Sequence, residues 1–297
     1  MTLSDYLLRA QLLALRQDPK FFNWNIKRLH AQNLHSKSAV TSVGGPVVSL
    51  TTVGDRINTV YLAIESIASG SVLPSRLILW IDNEEALKNR PDSIRRLEAR
   101  GLEVGASQNY GPHTKYYPYL LATDKFAVPL VTADDDVLYA KWWLQGLIDA
   151  NRNRDDLVNC YRAHVIMIEE GQFKSYQLWK SCHSTEASFL HFATGVSGCI
   201  YPIPLLSRLK AAGSVFQQLC PKADDVWLNV NALRGGFRVK QIRSWSIRFP
   251  LIPETQSTGL LHTNFHRSQN DEQIKNTYTA HDLVQLTDAG IREIARV

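Results

Sequence analysis

The stretch V-P-L-V-T-A-D-D-D, Val128 to Asp136, is a short apolar run that stops on three adjacent carboxylates. Its length and β-branched content read as a buried strand, with Pro129 marking an edge or a strand start. Three neighbouring carboxylates repel one another and are costly unless solvated or neutralised by a cation. On an extended strand end, Asp134 and Asp136 point to one side and Asp135 to the other. Two hard oxygen ligands at that place suit Mg2+ or Mn2+ that keeps part of its water and holds a diphosphate. An exposed acidic turn is the bland reading of the triplet, and its position after a strand is what favours the metal.

Outward from this point, strands and helices alternate. Pro46–Thr52 (P-V-V-S-L-T-T) reads as a buried strand, followed by a helix capped by Asp55 in which Ile57, Val60, Tyr61, Ile64 and Ile67 recur at helical spacing up to Gly70. Leu77–Ile81 is the next strand and ends at Asp82; a helix from Asp92 to Arg100 stops at Gly101, and Leu102–Ala106 is strand again. Further on, strands are expected near Val158–Cys160, Val165–Ile168 and Phe237–Ile242, with a helix near Ala223–Leu233. The alternation predicts an α/β sheet with parallel pairs. Ligands then belong at the carboxyl ends of the strands, at Thr51–Arg56, Asp82–Glu85, Ser107–Lys115 and Ala133–Asp136.

The first 45 residues form a separate arm, with residues 46–297 as the main domain. The arm carries Arg9, Arg16, Lys20, Lys27, Arg28 and Lys37 against Asp5 and Asp18, so most of the net charge of +5 resides there. Leu3, Leu7, Leu8, Leu12, Leu15 and then Phe22, Ile26, Leu29 predict two short amphipathic helices broken at Pro19. Such helices either pack on the main domain, the preferred reading, or lie peripherally on an anionic membrane surface. The rest of the 297 residues is near neutral, which argues against nucleic acid as partner. No apolar run approaches the roughly 18–20 residues of a membrane span, and no signal peptide is expected. Cys160, Cys182, Cys199 and Cys220 stand far apart without a C-x-x-C pair, which suits reduced thiols in a cytoplasmic protein.

Other constellations are weaker taken singly. Asp224 and Asp225 follow Cys220-Pro221 at a helix start, where carboxylates cap the helix or, facing a cleft, serve as a general base. Lys115 lies in a Tyr-rich loop and could reach a phosphate. Gly195-Val196-Ser197-Gly198-Cys199 is one glycine short of a nucleophile elbow, which argues against a serine hydrolase. No G-x-G-x-x-G, G-K-[ST] or H-E-x-x-H occurs, so dinucleotide oxidoreductases, P-loop NTPases and zincins lose ground. Trp142, Trp143, Trp179 and Trp245 could stack on a sugar, although Trp is more often core.

Taken in order, V-V-S-L-T-T-V-G-D-R-I (Val47–Ile57), L-I-L-W-I-D (Leu77–Asp82), K-Y-Y-P (Lys115–Pro118), V-T-A-D-D-D-V-L-Y (Val131–Tyr139), C-Y-R-A-H (Cys160–His164), T-G-V-S-G-C-I-Y-P (Thr194–Pro202) and C-P-K-A-D-D-V-W-L (Cys220–Leu228) resemble the glycosyltransferases of the GT-A fold. They are most similar to the family-2-like transferases of bacterial capsule and lipopolysaccharide synthesis. The resemblance implies a Rossmann-like mixed sheet flanked by helices, a nucleotide-sugar donor with UDP-hexose (galactose or glucose) as the default, and a glycan or lipid-linked saccharide acceptor. It also implies that Asp136 holds the Mn2+ or Mg2+, with Asp134 toward the ribose or sugar and as a second ligand. Thr51, Arg56, Asp82 and Asp135 would surround the nucleotide, Lys115 would approach the donor, and Thr194–Gly198 would border the acceptor and sugar. Asp225, or its neighbour Asp224, would be the base of an inverting reaction, and His262 a third metal ligand. Two rivals stand beside this reading: a nucleotidyltransferase, and a non-catalytic glycan-binding protein with a degenerate transferase fold.

Overall fold

A computed structural model of the chain describes residues 8–10, 12–13, 18–253 and 269–294. The arm contributes α1 (Pro19–His35), which starts with Asp18 accepting from the backbone N–H of Lys20. The first half then runs β1 (Val47–Thr52), α2 (Val60–Ala68), β2 (Arg76–Ile81), α3 (Glu84–Lys88), α4 (Asp92–Glu98), β3 (Leu102–Ala106), α5 (Tyr117–Ala122) and β4 (Leu130–Thr132). The second half continues with α6 (Trp143–Asn151), β5 (Leu157–Cys160), β6 (Ala163–Val165), β7 (Ile168–Glu169), β8 (Gln172–Phe173), β9 (Lys180–Ser181), β10 (His191–Ala193), β11 (Cys199–Tyr201), α7 (Ile203–Ala212), α8 (Phe216–Leu219), α9 (Asp224–Arg234), β12 (Arg238–Gln241), α10 (Gln269–Thr277) and α11 (Ala280–Ile294).

Among the described residues, seven strands form one mixed sheet in the order β12-β5-β11-β4-β1-β2-β3. All neighbours are parallel except β11, which runs antiparallel to both β4 and β5. Strands buried on both faces read as continuous apolar runs, as β1 and β2 do. Alternate side chains serve two layers. Val48, Leu50, Leu77 and Leu79 pack with Ile64 and Ile67 of α2, Ile94 of α4 and Leu144 of α6. Val47, Ile78 and Trp80 face the other way, with Leu120, Leu205, Leu206 and Val230. Helices thus cover both faces of the sheet.

Several local expectations are corrected. Asp55 does not cap the helix after β1: Gly54–Asn58 is a 3-10 turn, and α2 begins only at Val60, with Thr59 before it. Pro129 precedes a central strand, where its carbonyl accepts from Val47 N–H, so the missing donor lies before the ladder begins. The single strand expected over Val165–Ile168 is split between β6 and β7.

The arm helix packs on the main domain. Leu29 and Asn33 are buried, and the Asn33 and Gln32 amides donate to the carboxylate of Glu65. Glu65 and Arg100 form an ion pair that is almost fully withdrawn from water. Among the described residues no helix is long and apolar enough to cross a membrane. All four cysteines are free and buried.

Candidate active site

In an open α/β sheet the crevice forms where the strand order reverses. Here that point lies between β1 and β4, because β2 and β3 extend the sheet to one side of β1 and β4 starts the other. Asp134, Asp135 and Asp136 leave β4 at this point, but 135 and 136 enter a turn rather than continuing the strand. The expected alternation of the three carboxylates therefore fails, and each is placed by the cation it finds. Asp134 accepts from Lys115 Nζ at 2.9 Å. Asp135 is buried, accepts from Thr52 Oγ1 at 2.8 Å and pairs with Arg56 Nη1 at 2.8 Å. Asp136 lies 3.4 Å from the same Arg56 nitrogen. With both oxygens engaged below the surface, Asp135 anchors Arg56. Tyr139 steadies the turn from beneath, its hydroxyl accepting the Asp134 N–H at 2.7 Å.

Lys115 ends the 3-10 turn Gly111–Lys115. That turn is fixed by His113, which is fully buried, stacks on Phe216 at 4.0 Å, and bonds Tyr116 Oη and the Cys220 carbonyl, each at 2.8 Å. A carbonyl only accepts, so Nε2 carries the ring proton and Nδ1 accepts from Tyr116. Burial pushes His113 down to about 4 against the pull of Asp224 and the Cys220 carbonyl, leaving it neutral. Through this imidazole the Lys115 turn is tied to the segment that begins α9.

The start of α9 delivers Asp224 and Asp225. Asp224 Oδ2 lies 3.2 Å from Lys115 Nζ but without hydrogen-bond geometry, a buried oxygen with unused acceptor capacity. Asp225 Oδ1 accepts from Gly195 N–H at 2.8 Å. Gly195 rests against the cluster so closely that a Cβ there would stand 3.0 Å from Asp225 Oδ1 and 3.6 Å from Lys115 Nζ. The tight turn Gly195–Gly198 is completed by Gly198, whose φ of +98° and contact with the Trp143 indole exclude a side chain. Ser197 Oγ is buried and donates to the Ile247 carbonyl, a structural bond.

Charge in the cluster is unbalanced. Burial alone would lower Lys115, but Asp134, Asp224 and Asp225 outweigh it and hold the ammonium well above its usual range. Burial, then Asp134 and Asp135, push Asp136 up to about 7 despite Arg56 and Lys115. Burial and Asp224 push Asp225 up to about 7 against Lys115 and the Gly195 N–H. Asp82, at the end of β2, is raised by partial burial.

Lys115, Asp134, Asp224 and Asp225 share one wall of a cavity of about 910 Å³. Thr194, Gly195 and Ser197 line it beside them, Arg162 and His164 continue the wall, and Phe249 and Leu251 close it. Val137 pairs with Leu251, and the Leu138 N–H donates to the Pro250 carbonyl, so this closing segment is fastened next to the acidic turn. Pro19, Phe22 and Asn23 of the arm also reach the cavity, a contribution nothing in the arm's sequence signals. Thr51, Arg56, Asp82, Asp135 and Asp136 do not line it; Thr51 Oγ1 donates to the Trp80 carbonyl along the neighbouring strand end. Trp143 and Trp179 are core residues, and none of the four tryptophans considered lines the cavity. His262 lies outside the described residues.

Among the described residues no three His, Cys, Asp or Glu side chains converge as a ready-made metal cage. The chemistry of the donors still suits a hard divalent cation. Asp134, already paired with Lys115, and the Asp224 oxygen without a hydrogen bond are carboxylate donors on the cavity wall, with Asp136 beside them in the acidic turn. Carboxylate oxygens are what Mg2+ or Mn2+ takes alongside water and phosphate.

The sequence matches no protein-family model and no curated protein. Several solved structures are similar at low identity. Residues 1–349 of S. aureus TarS align over 66% of this chain and 57% of that one, with 14% identity and a TM-score of 0.43. GalNAc-T7 with UDP, GalNAc and Mn2+ aligns over 66% and 41%, with 12% identity and a TM-score of 0.45. CMP:2-keto-3-deoxy-manno-octonic acid synthetase complexed with CTP aligns over 66% and 88%, with 10% identity and a TM-score of 0.37. The chain therefore spans about half the length of the first two. At these scores the likeness concerns architecture alone.

Proposed function

We propose that this chain is a nucleotide-sugar-dependent glycosyltransferase of the GT-A type that transfers a hexose, with inversion, to a hydroxyl of a glycan or lipid-linked saccharide. The observation that carries the reading is the convergence of Lys115, Asp134, Asp224 and Asp225 on one cavity wall at the reversal point of the sheet. A departing diphosphate needs a fixed positive charge and an attacking hydroxyl needs a base, and this wall holds both.

Lys115, kept protonated, is preorganised to stabilise charge growing on the diphosphate. Asp225 is oriented by the Gly195 N–H on Oδ1, so Oδ2 is the oxygen to take the acceptor proton. Its pKa near 7 matches a base working at neutral pH. As the acceptor oxygen bonds the anomeric carbon, the bond from that carbon to the phosphate oxygen breaks and its electron pair leaves with the diphosphate. Asp134 and Asp136 would hold Mn2+ or Mg2+, which when bound supplies further positive charge at the diphosphate. Thr51, Arg56 and Asp82, at the strand ends beside the cavity, are the residues we assign to the nucleoside, with UDP-galactose or UDP-glucose as the default donor. The setting we favour is bacterial surface-polysaccharide or lipopolysaccharide assembly on the cytoplasmic side of the membrane. Phe21 and Trp24 stack on the exposed face of α1 beside Lys20 and Lys27, a composition suited to a membrane interface.

The test is a screen of nucleotide-sugars for release of the nucleoside diphosphate, with CTP plus an acidic sugar as a comparison arm. Nucleoside diphosphate release from one sugar donor, lost in Asp225→Asn, supports the reading. Pyrophosphate release from CTP would replace it with a nucleotidyltransferase, and a folded protein inert in every arm would support the degenerate fold.

A further inference from the structure

Arg162 and His164 stand on the loop and strand after β5, away from the acidic turn, and neither is used by the chemistry above. Arg162 donates from Nη1 to Thr194 Oγ1 at 3.3 Å and from Nη2 to His164 Nε2 at 3.1 Å. An arginine cannot accept, so His164 Nε2 must be the acceptor, and the neutral ring carries its hydrogen on Nδ1. Among the described residues that Nδ1 is buried and has no partner; the same is true of Arg162 Nε. Both residues line the cavity, while these two N–H groups are themselves withdrawn from it.

The pair stands in a concentration of positive charge. Arg248 lines the cavity, is exposed and pairs with no carboxylate among the described residues, and its charge bears on both Arg162 and His164. Burial, then these two guanidinium groups, keep His164 neutral. Asp225 is the carboxylate whose charge reaches Arg162. Thr194, which Arg162 holds, directly precedes Gly195, which holds Asp225. Arg162 is therefore linked through Thr194 and Gly195 to the base, where the acceptor hydroxyl must come.

We infer that Arg162, His164 and Arg248 form an oxyanion subsite, and that the acceptor sugar carries a phosphate or carboxylate group close to the hydroxyl that is glycosylated. The inference rests on the glycosyltransferase reading. Guanidinium forks recognise both anions with paired hydrogen bonds, and the His164 imidazole, accepting from Arg162 Nη2, fixes the angle of one fork.

Calorimetry on the full chain, first saturated with UDP and Mn2+, separates the possibilities. The probes are glucose 1-phosphate, glucuronate and methyl glucoside. The expected result is that an anionic sugar binds at least about tenfold more tightly than methyl glucoside. Arg248→Gln, a change at an exposed position, and His164→Gln should each remove that preference while UDP affinity is unchanged. Preference for the first probe assigns phosphate, and for the second, carboxylate. Equal binding of all three sugars, or an anion preference that survives both variants, overturns the subsite. Failure of UDP itself to bind, with glucose 1-phosphate still held through Arg248, would instead remove the transferase reading and the acceptor assignment with it, leaving only an oxyanion site.

Discussion

Asp225 is where the account is most exposed at the scale of a residue. Asp225→Asn keeps an oxygen for the Gly195 N–H but cannot take a proton, so transfer should fall by ~10²–10⁴-fold with donor affinity retained. In the native protein the proposed transfer rate should decline below about pH 7, because the base must be ionised. If Asp224→Asn loses transfer and Asp225→Asn does not, the base is the neighbour. Stability gives an independent reading. An acid with a folded-state pKa of about 7 and an unfolded one of about 4 binds extra protons in the folded state between those values. Its folded-state stability therefore falls as pH rises through that window. Asp225→Asn should thus raise the melting temperature at pH 8 and change it little at pH 4. Gly195→Ala tests the packing above the cluster: the added methyl would press on Asp225 Oδ1 at 3.0 Å, and transfer should drop without loss of fold. The carboxylates were legible from the sequence as candidates because each follows a recognisable strand or begins a helix, and Lys115 because it is a cation in a Tyr-rich loop beyond a strand end. His113 and Arg162 were given no role there, since they acquire one from partners 107 and 32 residues away, the Cys220 carbonyl and Thr194.

At the scale of elements, apolar runs and helical periodicity located β1, β2, β3, β4, α4 and α9 to within a few residues. The misses have physical causes. Alternation assumes an extended chain, and the turn at 135–136 breaks it so that Asp134 can meet Lys115 while Asp135 and Asp136 meet Arg56. Strand β11 is only three residues long, follows a turn of small residues and is stabilised by two antiparallel neighbours, so no local pattern marks it. Helix α1 shows why the arm cannot be judged from charge alone. Its buried side carries Asn33 and Leu29, and Asn33 answers a carboxylate on α2. Glu65 there is shared between α1 and Arg100. Arg100→Met leaves that carboxylate buried without its cation and should cost ~3–5 kcal/mol, read as a lower denaturation midpoint. Removal of residues before 46 strips Glu65 of two amide donors and uncovers Leu62 and Ala63, which pack with Leu29. The expected product is poorly soluble; a fully soluble, cooperatively folding one would show that the arm is dispensable for packing.

For the whole molecule, the α/β class and the crevice at the carboxyl strand ends followed from alternation of elements, whereas the strand order did not. Order depends on pairings such as β12 with β5, which join residues about eighty positions apart, and the cavity is closed by segments from the arm and from Phe249–Leu251 that no strand-end rule anticipates. The central claim is that this crevice binds a nucleoside diphosphate through a metal held by Asp134 and Asp136. Calorimetric titration with UDP, GDP and CMP, in Mn2+ and then in EDTA, tests it most directly. The account predicts that one nucleoside diphosphate, UDP by preference, binds in Mn2+, that EDTA abolishes binding, and that Asp136→Ala does the same. Absence of binding by any of the three to the folded protein in Mn2+, or affinity undiminished in Asp136→Ala, would contradict it.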